Sequence, residues 1–268
     1  MTPTPPIRPA RFAAWVGIDY SGAATCDTPL AALRVCAASA DAPEPVEVRP
    51  ADGRHWTRRG LADWMSGRIA TGLPTLFGID HGLGFPEAWW PVSDPGWDDL
   101  LAHFVARFPA DRADATVRSL RTTAGDHGNA RWRRVCDARA GAKSIFHFDV
   151  PGSVATSTHA GLAFVRALRL AHPGRLHVWP FDGADPPQDV SVLAEAWPTP
   201  FRECLPRTDT SPDLHDARCL THALRDADGN GTLDAWFAVQ QASAPNIANG
   251  EGWIIGLGES FGTDRKIH

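Results

Sequence analysis

The chain has 268 residues, 43% of them apolar, and a formal net charge of −5. That length can bury a substantial core, and one large domain is expected. The charge gives no global pull on nucleic acid, no run of about 18 apolar residues could span a bilayer, and the first residues lack a secretory apolar segment. A cytoplasmic protein without membrane contact is therefore expected.

The opening residues 1–12 are Pro-rich and read as an extended arm. Residues 13–18, 31–39 and 45–49 read as three strands in a meander, punctuated by Ala, Asp and Pro. From Thr57, apolar Leu61, Trp64, Met65 and Ile69 fall at helical spacing, with Gly72 as a stop. Thr75–Ile79 is a short apolar strand. Residues 84–175 read as a large, mainly helical insertion, with helices expected over 97–108, 131–140 and 157–171. Two further strands (175–180 and 190–194) and two helices (214–225 and 233–244) follow. Glu251 to Gly256 is a last apolar segment, and residues 259–268 form a tail.

Two of the strands share one grammar: Gly17-Ile18-Asp19 and Gly78-Ile79-Asp80 each deliver a carboxylate to a strand end. A strand-end aspartate is costly to bury unless it is hydrogen-bonded or holds a cation. Glu195 follows another strand, and Asp216 lies near a helix start. Hard cations such as Mg²⁺ or Mn²⁺ take a few carboxylates and keep positions for water and phosphate oxygens, so Asp19, Asp80, Glu195 and Asp216 are candidate metal ligands and catalytic residues. Asp213 or Asp234 could take the place of Asp216.

These residues sit in an ordered series of motifs: Val16-Gly-Ile-Asp-Tyr-Ser-Gly-Ala23, Gly78-Ile-Asp-His-Gly-Leu-Gly-Phe-Pro86, Ala142-Lys-Ser144, Gly152-Ser153, Trp179-Pro-Phe-Asp182, Ala194-Glu195, His215-Asp-Ala217 and Glu251-Gly-Trp-Ile254. The series resembles an uncharacterised ribonuclease-H-like family over about residues 14–257. The resemblance implies an α/β fold with a ribonuclease-H-like mixed sheet flanked by helices, within one domain over residues 13–258. It also implies acidic residues at Asp19, Asp80, Glu195 and Asp216, where related nucleases bind metal. Where the broader group has proline after the second aspartate, this chain has His81-Gly82.

Basic and hydroxyl side chains complete the expected site. Arg134 and Lys143, with Ser144 and Ser153, could hold phosphate oxygens, because a guanidinium fork matches phosphate geometry. Ser21, His81 and His215 adjoin the proposed carboxylates and could bind substrate or move protons. Together these features lead to the expectation of a metal-dependent phosphodiester hydrolase acting on nucleic acid or a small phosphate ester. The alternative is a non-catalytic module that binds a nucleotide or small phosphate ligand on the same fold. Five cysteines without a Cys-x-x-Cys pair point to free thiols. Asp226-Ala-Asp-Gly-Asn-Gly231 imitates a calcium loop but has Phe237 where a bidentate glutamate is required, so a turn between helices is expected. Gly258-Glu-Ser-Phe-Gly262 leaves no room for a downstream hydrolase triad.

Overall fold

The computed structural model describes residues 10–93, 95–124, 128–238 and 247–258. The molecule is built on a six-stranded mixed sheet. β1 (Ala14–Asp19), β2 (Arg34–Ser39) and β3 (Val46–Glu47) form the antiparallel meander. β4 (Thr75–Ile79) lies parallel to β1 on its other side, β6 (Ser191–Glu195) parallel to β4, and β5 (Leu176–Trp179) parallel to β6 at the edge. The order across the sheet is therefore β3-β2-β1-β4-β6-β5. Four parallel strands thus end on one edge, where Asp19, Asp80 and Glu195 emerge.

Period-two alternation divides the strand residues between two apolar cores. Val16, Ile18, Phe77 and Ile79 face one core with α1 (Arg58–Ala70) and α5 (Ala155–Ala171). Trp15, Leu76, Val192 and Ala194 face the other with α6 (Pro212–Asn230) and α7 (Thr232–Ala238). Helices on both faces explain why the central strands read as unbroken apolar runs.

Helix boundaries follow local chemistry. Thr57 caps α1 by accepting the Gly60 N–H, and Ser211 caps α6 by accepting that of Leu214. α6 ends at Gly231, whose φ of 82° suits a residue without Cβ. The segment expected as a turn before Gly231 is therefore the last turn of α6.

Between β4 and β5 the chain forms α2 (Trp97–Arg107), α3 (Val117–Ala124), α4 (Val135–Ala140) and then α5. α3 was not expected: Val117, Leu120 and Ala124 share one face at helical spacing and pack on the core, but only Val117 is fully buried and the segment is eight mostly polar residues. α4 is shorter than the expected 131–140 helix because Arg134 is its cap residue, donating its backbone N–H and its guanidinium to Asp137. At the start of the described chain, the backbone N–H groups of Arg11 and Phe12 both donate to Asp228, so these two residues are fastened to α6 rather than part of a free arm. Residues 1–9, the part of the expected 233–244 helix beyond Ala238, and the tail 259–268 lie outside the described residues. No described helix is long and apolar enough to cross a membrane.

Candidate functional site

The repeated Gly-Ile-Asp motif has a packing reason as well as a chemical one. Gly17 and Gly78 are register partners on adjacent strands. A Cβ on Gly17 would lie 2.4 Å from the Ala217 carbonyl oxygen and 2.7 Å from the Thr221 nitrogen. One on Gly78 would lie 2.8 Å from Leu224 Cδ1. The two glycines open the sheet face on which α6 rests, and the Gly17 N–H donates to Thr221 Oγ1 at 2.9 Å. Residues two apart on a strand share a face, so Asp19 and Asp80 emerge beneath the same helix. Asp216 adjoins Ala217, the residue whose carbonyl abuts Gly17.

The two aspartates are held as neighbours by the ladder: the Asp80 N–H donates to the Ile18 carbonyl at 2.9 Å. Burial, and then the charges of Asp80, Asp213 and Asp216, push Asp19 up to about 9. Burial, and then the charges of Asp216 and Glu195, push Asp80 up to about 7. Among the described residues no group donates a hydrogen bond to either carboxylate. The charge that opposes these shifts belongs to Arg202, which donates from Nε to Asp216 Oδ1 at 2.8 Å and from Nη2 to Oδ2.

Glu195 reaches the same edge but is committed elsewhere. Arg134 Nη1 and Nη2 each approach one of its carboxylate oxygens to 2.6 Å, and the Leu83 N–H donates to Oε2 at 2.9 Å. The other side of the guanidinium is taken by Asp137, at 3.1 Å from Nε and 2.8 Å from Nη2. Arg134 is only 1% exposed and Glu195 5%. The expected phosphate ligand Arg134 and one of the four expected metal ligands, Glu195, are therefore bonded to each other rather than open to substrate or cation.

The remaining expected residues separate in the same way. His81 belongs to the opposite face: it packs edge-on against Tyr20 with centroids 4.7 Å apart, and its Nε2 lies 2.3 Å from where a Cβ on Gly161 would stand. Burial lowers its pKa to about 4, so it is neutral, with Nδ1 3.0 Å from the Gly82 carbonyl. Ser144 is buried, donating to the Trp132 carbonyl and accepting from Phe146 N–H. Ser153 accepts the Ala155 N–H at the start of α5. Among the described residues Ser21 makes one long contact, accepting at 3.5 Å from Ala23 N–H, and Lys143 is exposed.

His215 is held between Asp209, 3.2 Å from Nδ1, and the Arg202 carbonyl, 2.9 Å from Nε2. It therefore anchors the backbone of the arginine that touches Asp216. Asp213 contributes repulsion to Asp19 without contacting Arg202. Asp234 pairs with Arg11 at 3.7 Å, near the start of β1 rather than its end, which removes it as a substitute for Asp216.

Among the described residues no group of three or more His, Cys, Asp or Glu side chains is already assembled to hold a metal ion. The chemistry of the donors nonetheless suits a hard divalent cation at Asp19 and Asp80: both are oxygen donors without hydrogen bonds from described groups, and their mutual repulsion is relieved by positive charge. Asp216 is already held by Arg202, so a cation that drew it in would compete with the guanidinium. Glu195 does not fit, because Arg134 already satisfies it. Arg202 escaped the sequence reading, since a single arginine in the loop after β6 belongs to no motif. The chain matches no protein-family model, no curated protein and no solved structure.

Proposed function

We propose that this protein is a divalent-metal-dependent phosphodiester hydrolase of ribonuclease-H-like fold, with Asp19, Asp80 and Asp216 as its metal-binding carboxylates. The observation that carries the reading is electrostatic: two neighbouring strand-end carboxylates, unsupported by described donors, are driven up to about 9 and about 7. Groups so perturbed, at the carboxyl ends of parallel strands, are the expected setting of a site. The strand order, with β2 reversed beside β1, and an acidic residue brought in by α6 support the fold named here.

Bound there, Mg²⁺ or Mn²⁺ would supply charge to draw a phosphate group in and to polarise its oxygens. The residues of the chain do the rest. Asp19 and Asp80 fix the position of the cation on the rigid strands β1 and β4. Asp216 closes the set from α6, whose seat on Gly17 and Gly78 sets its distance from the sheet. Glu195, held by Arg134 and the Leu83 N–H, fixes the turn after β4 and adds negative charge beside Asp80. Ser21 and Lys143 are the expected phosphate ligands that internal bonding leaves open.

The test is hydrolysis of a chromogenic phosphodiester with Mn²⁺, with D19N and D80N as controls. Activity lost on the order of a hundredfold or more in either variant supports the reading. Wild-type turnover that is absent, or equal to that of both variants, contradicts it. A second reading, a module that binds a metal–phosphate ligand without turnover, is favoured by one observation: Arg134 removes Glu195 from the ligand set. Metal-dependent phosphate binding without hydrolysis would select it.

A further inference from the structure

Arg134 and Arg202 each hold a carboxylate of the acidic edge, and they are built differently. Arg134 is buried, with its donors divided among Glu195, Asp137 and the Glu251 carbonyl. Removing it would strand two buried carboxylates, so it is a permanent part of the structure. The Arg202 side chain is 41% exposed while its partner Asp216 is 8% exposed, so the guanidinium enters the site from solvent. It spends Nε and Nη2 on Asp216, and no described acceptor takes Nη1. Its backbone is fixed independently: the carbonyl is held by His215, and the preceding residue, Phe201, packs on Trp236 with ring centroids 5.7 Å apart. The side chain can therefore rotate away without moving the loop.

We propose that Arg202 is the exchangeable counter-ion of the carboxylate site, occupying Asp216 until a divalent cation displaces it. The inference rests on the metal reading above and adds to it a residue that regulates access. Its physical basis is competition for one ligand. Both oxygens of Asp216 are engaged by a bidentate, charge-assisted fork, and Asp216 is the carboxylate needed to join Asp19 and Asp80. A cation that takes all three sets like charge against the guanidinium and competes with it for Asp216. The freed guanidinium, still tethered at the rim by His215, then has its donors open toward a phosphate, which a fork suits better than a point charge. A hydrogen-bonded pair of this kind resists metal but costs little to rebuild, because one partner is already in water.

The experiment is Mn²⁺ binding, followed by titration calorimetry and by the electron paramagnetic resonance signal of free Mn²⁺, on the full chain as wild type, R202Q, R202K and D19N. Circular dichroism melts accompany each variant. R202Q is expected to bind Mn²⁺ on the order of tenfold more tightly than wild type, the strength of one lost charged hydrogen-bonded contact. R202K, a weaker, single-point competitor, should fall between the two, and D19N should lose binding. Equal or weaker binding in folded R202Q, with wild-type binding intact and dependent on Asp19, would overturn the role of Arg202 while leaving the metal reading standing. Absence of binding in wild type and R202Q alike would overturn both.

Discussion

At the scale of single residues, the site is defined by which carboxylates are satisfied. Glu195 and Asp137 share one buried arginine; Asp19 and Asp80 share none. An unsatisfied carboxyl pair makes stability depend on pH in a direction that can be worked out. In the folded chain the pair holds protons up to about 7 and about 9, whereas the unfolded chain releases them near the ordinary aspartate value. Their contribution is thus complete in acid and is lost as pH rises through the folded values. In metal-free buffer the melting temperature should fall between about pH 5 and about pH 9, and D19N should flatten the upper part of that fall. Mn²⁺, which prefers the ionised carboxylates, should restore most at the alkaline end. A wild-type profile indistinguishable from that of D19N would show that Asp19 titrates normally.

The strand-end aspartates were legible in the sequence because an acid after an apolar run has few structural explanations. The fate of Glu195 was not. Its partner Arg134 lies 61 residues away, and nothing local distinguishes a strand-end glutamate that meets solvent or metal from one that meets a buried guanidinium. Arg134 misled for a related reason: it stands among exposed Arg131 and Arg133, and one-dimensional order does not reveal which arginine turns inward. Histidines His81 and His215 adjoin carboxylates in sequence, yet period-two geometry sends His81 to the opposite sheet face from Asp80. His215 instead supports the Arg202 loop.

At the scale of elements, α6 is the piece that turns a sheet edge into a site. Its backbone touches β1 because position 17 has no side chain, and that contact sets where Asp216 stands. Gly17→Ala would force a methyl group against the Ala217 carbonyl and should destabilise the fold by about 3 kcal/mol in urea unfolding. A control is Gly67→Ala, on the open face of α1, where a Cβ meets nothing within 4 Å. It should stabilise by about 0.5–1 kcal/mol, the difference in helix propensity. Equal effects of the two substitutions would mean that α6 does not rest on Gly17. The meander, β4, α1 and α5 were legible to within a few residues because burial on both faces imposes apolar runs and capping residues mark the ends. α3 was hidden because its apolar face is only Val117, Leu120 and Ala124 within eight residues, too short a pattern to stand out among polar neighbours.

At the scale of the whole molecule, a sheet covered on both faces leaves its parallel edge as the place where charge accumulates. The formal charge of −5 fits the proposed recruitment of a cation before a phosphate. The large segment between β4 and β5 adds to that edge chiefly through Arg134, which ties α4 to β6. The most direct test of the account is a crystal of the full chain soaked with Mn²⁺ and measured for anomalous scattering. A peak is expected among Asp19, Asp80 and Asp216, with the Arg202 guanidinium off Asp216 and Arg134 still on Glu195. A saturating soak that leaves no peak there, with Arg202 still paired to Asp216, would contradict it.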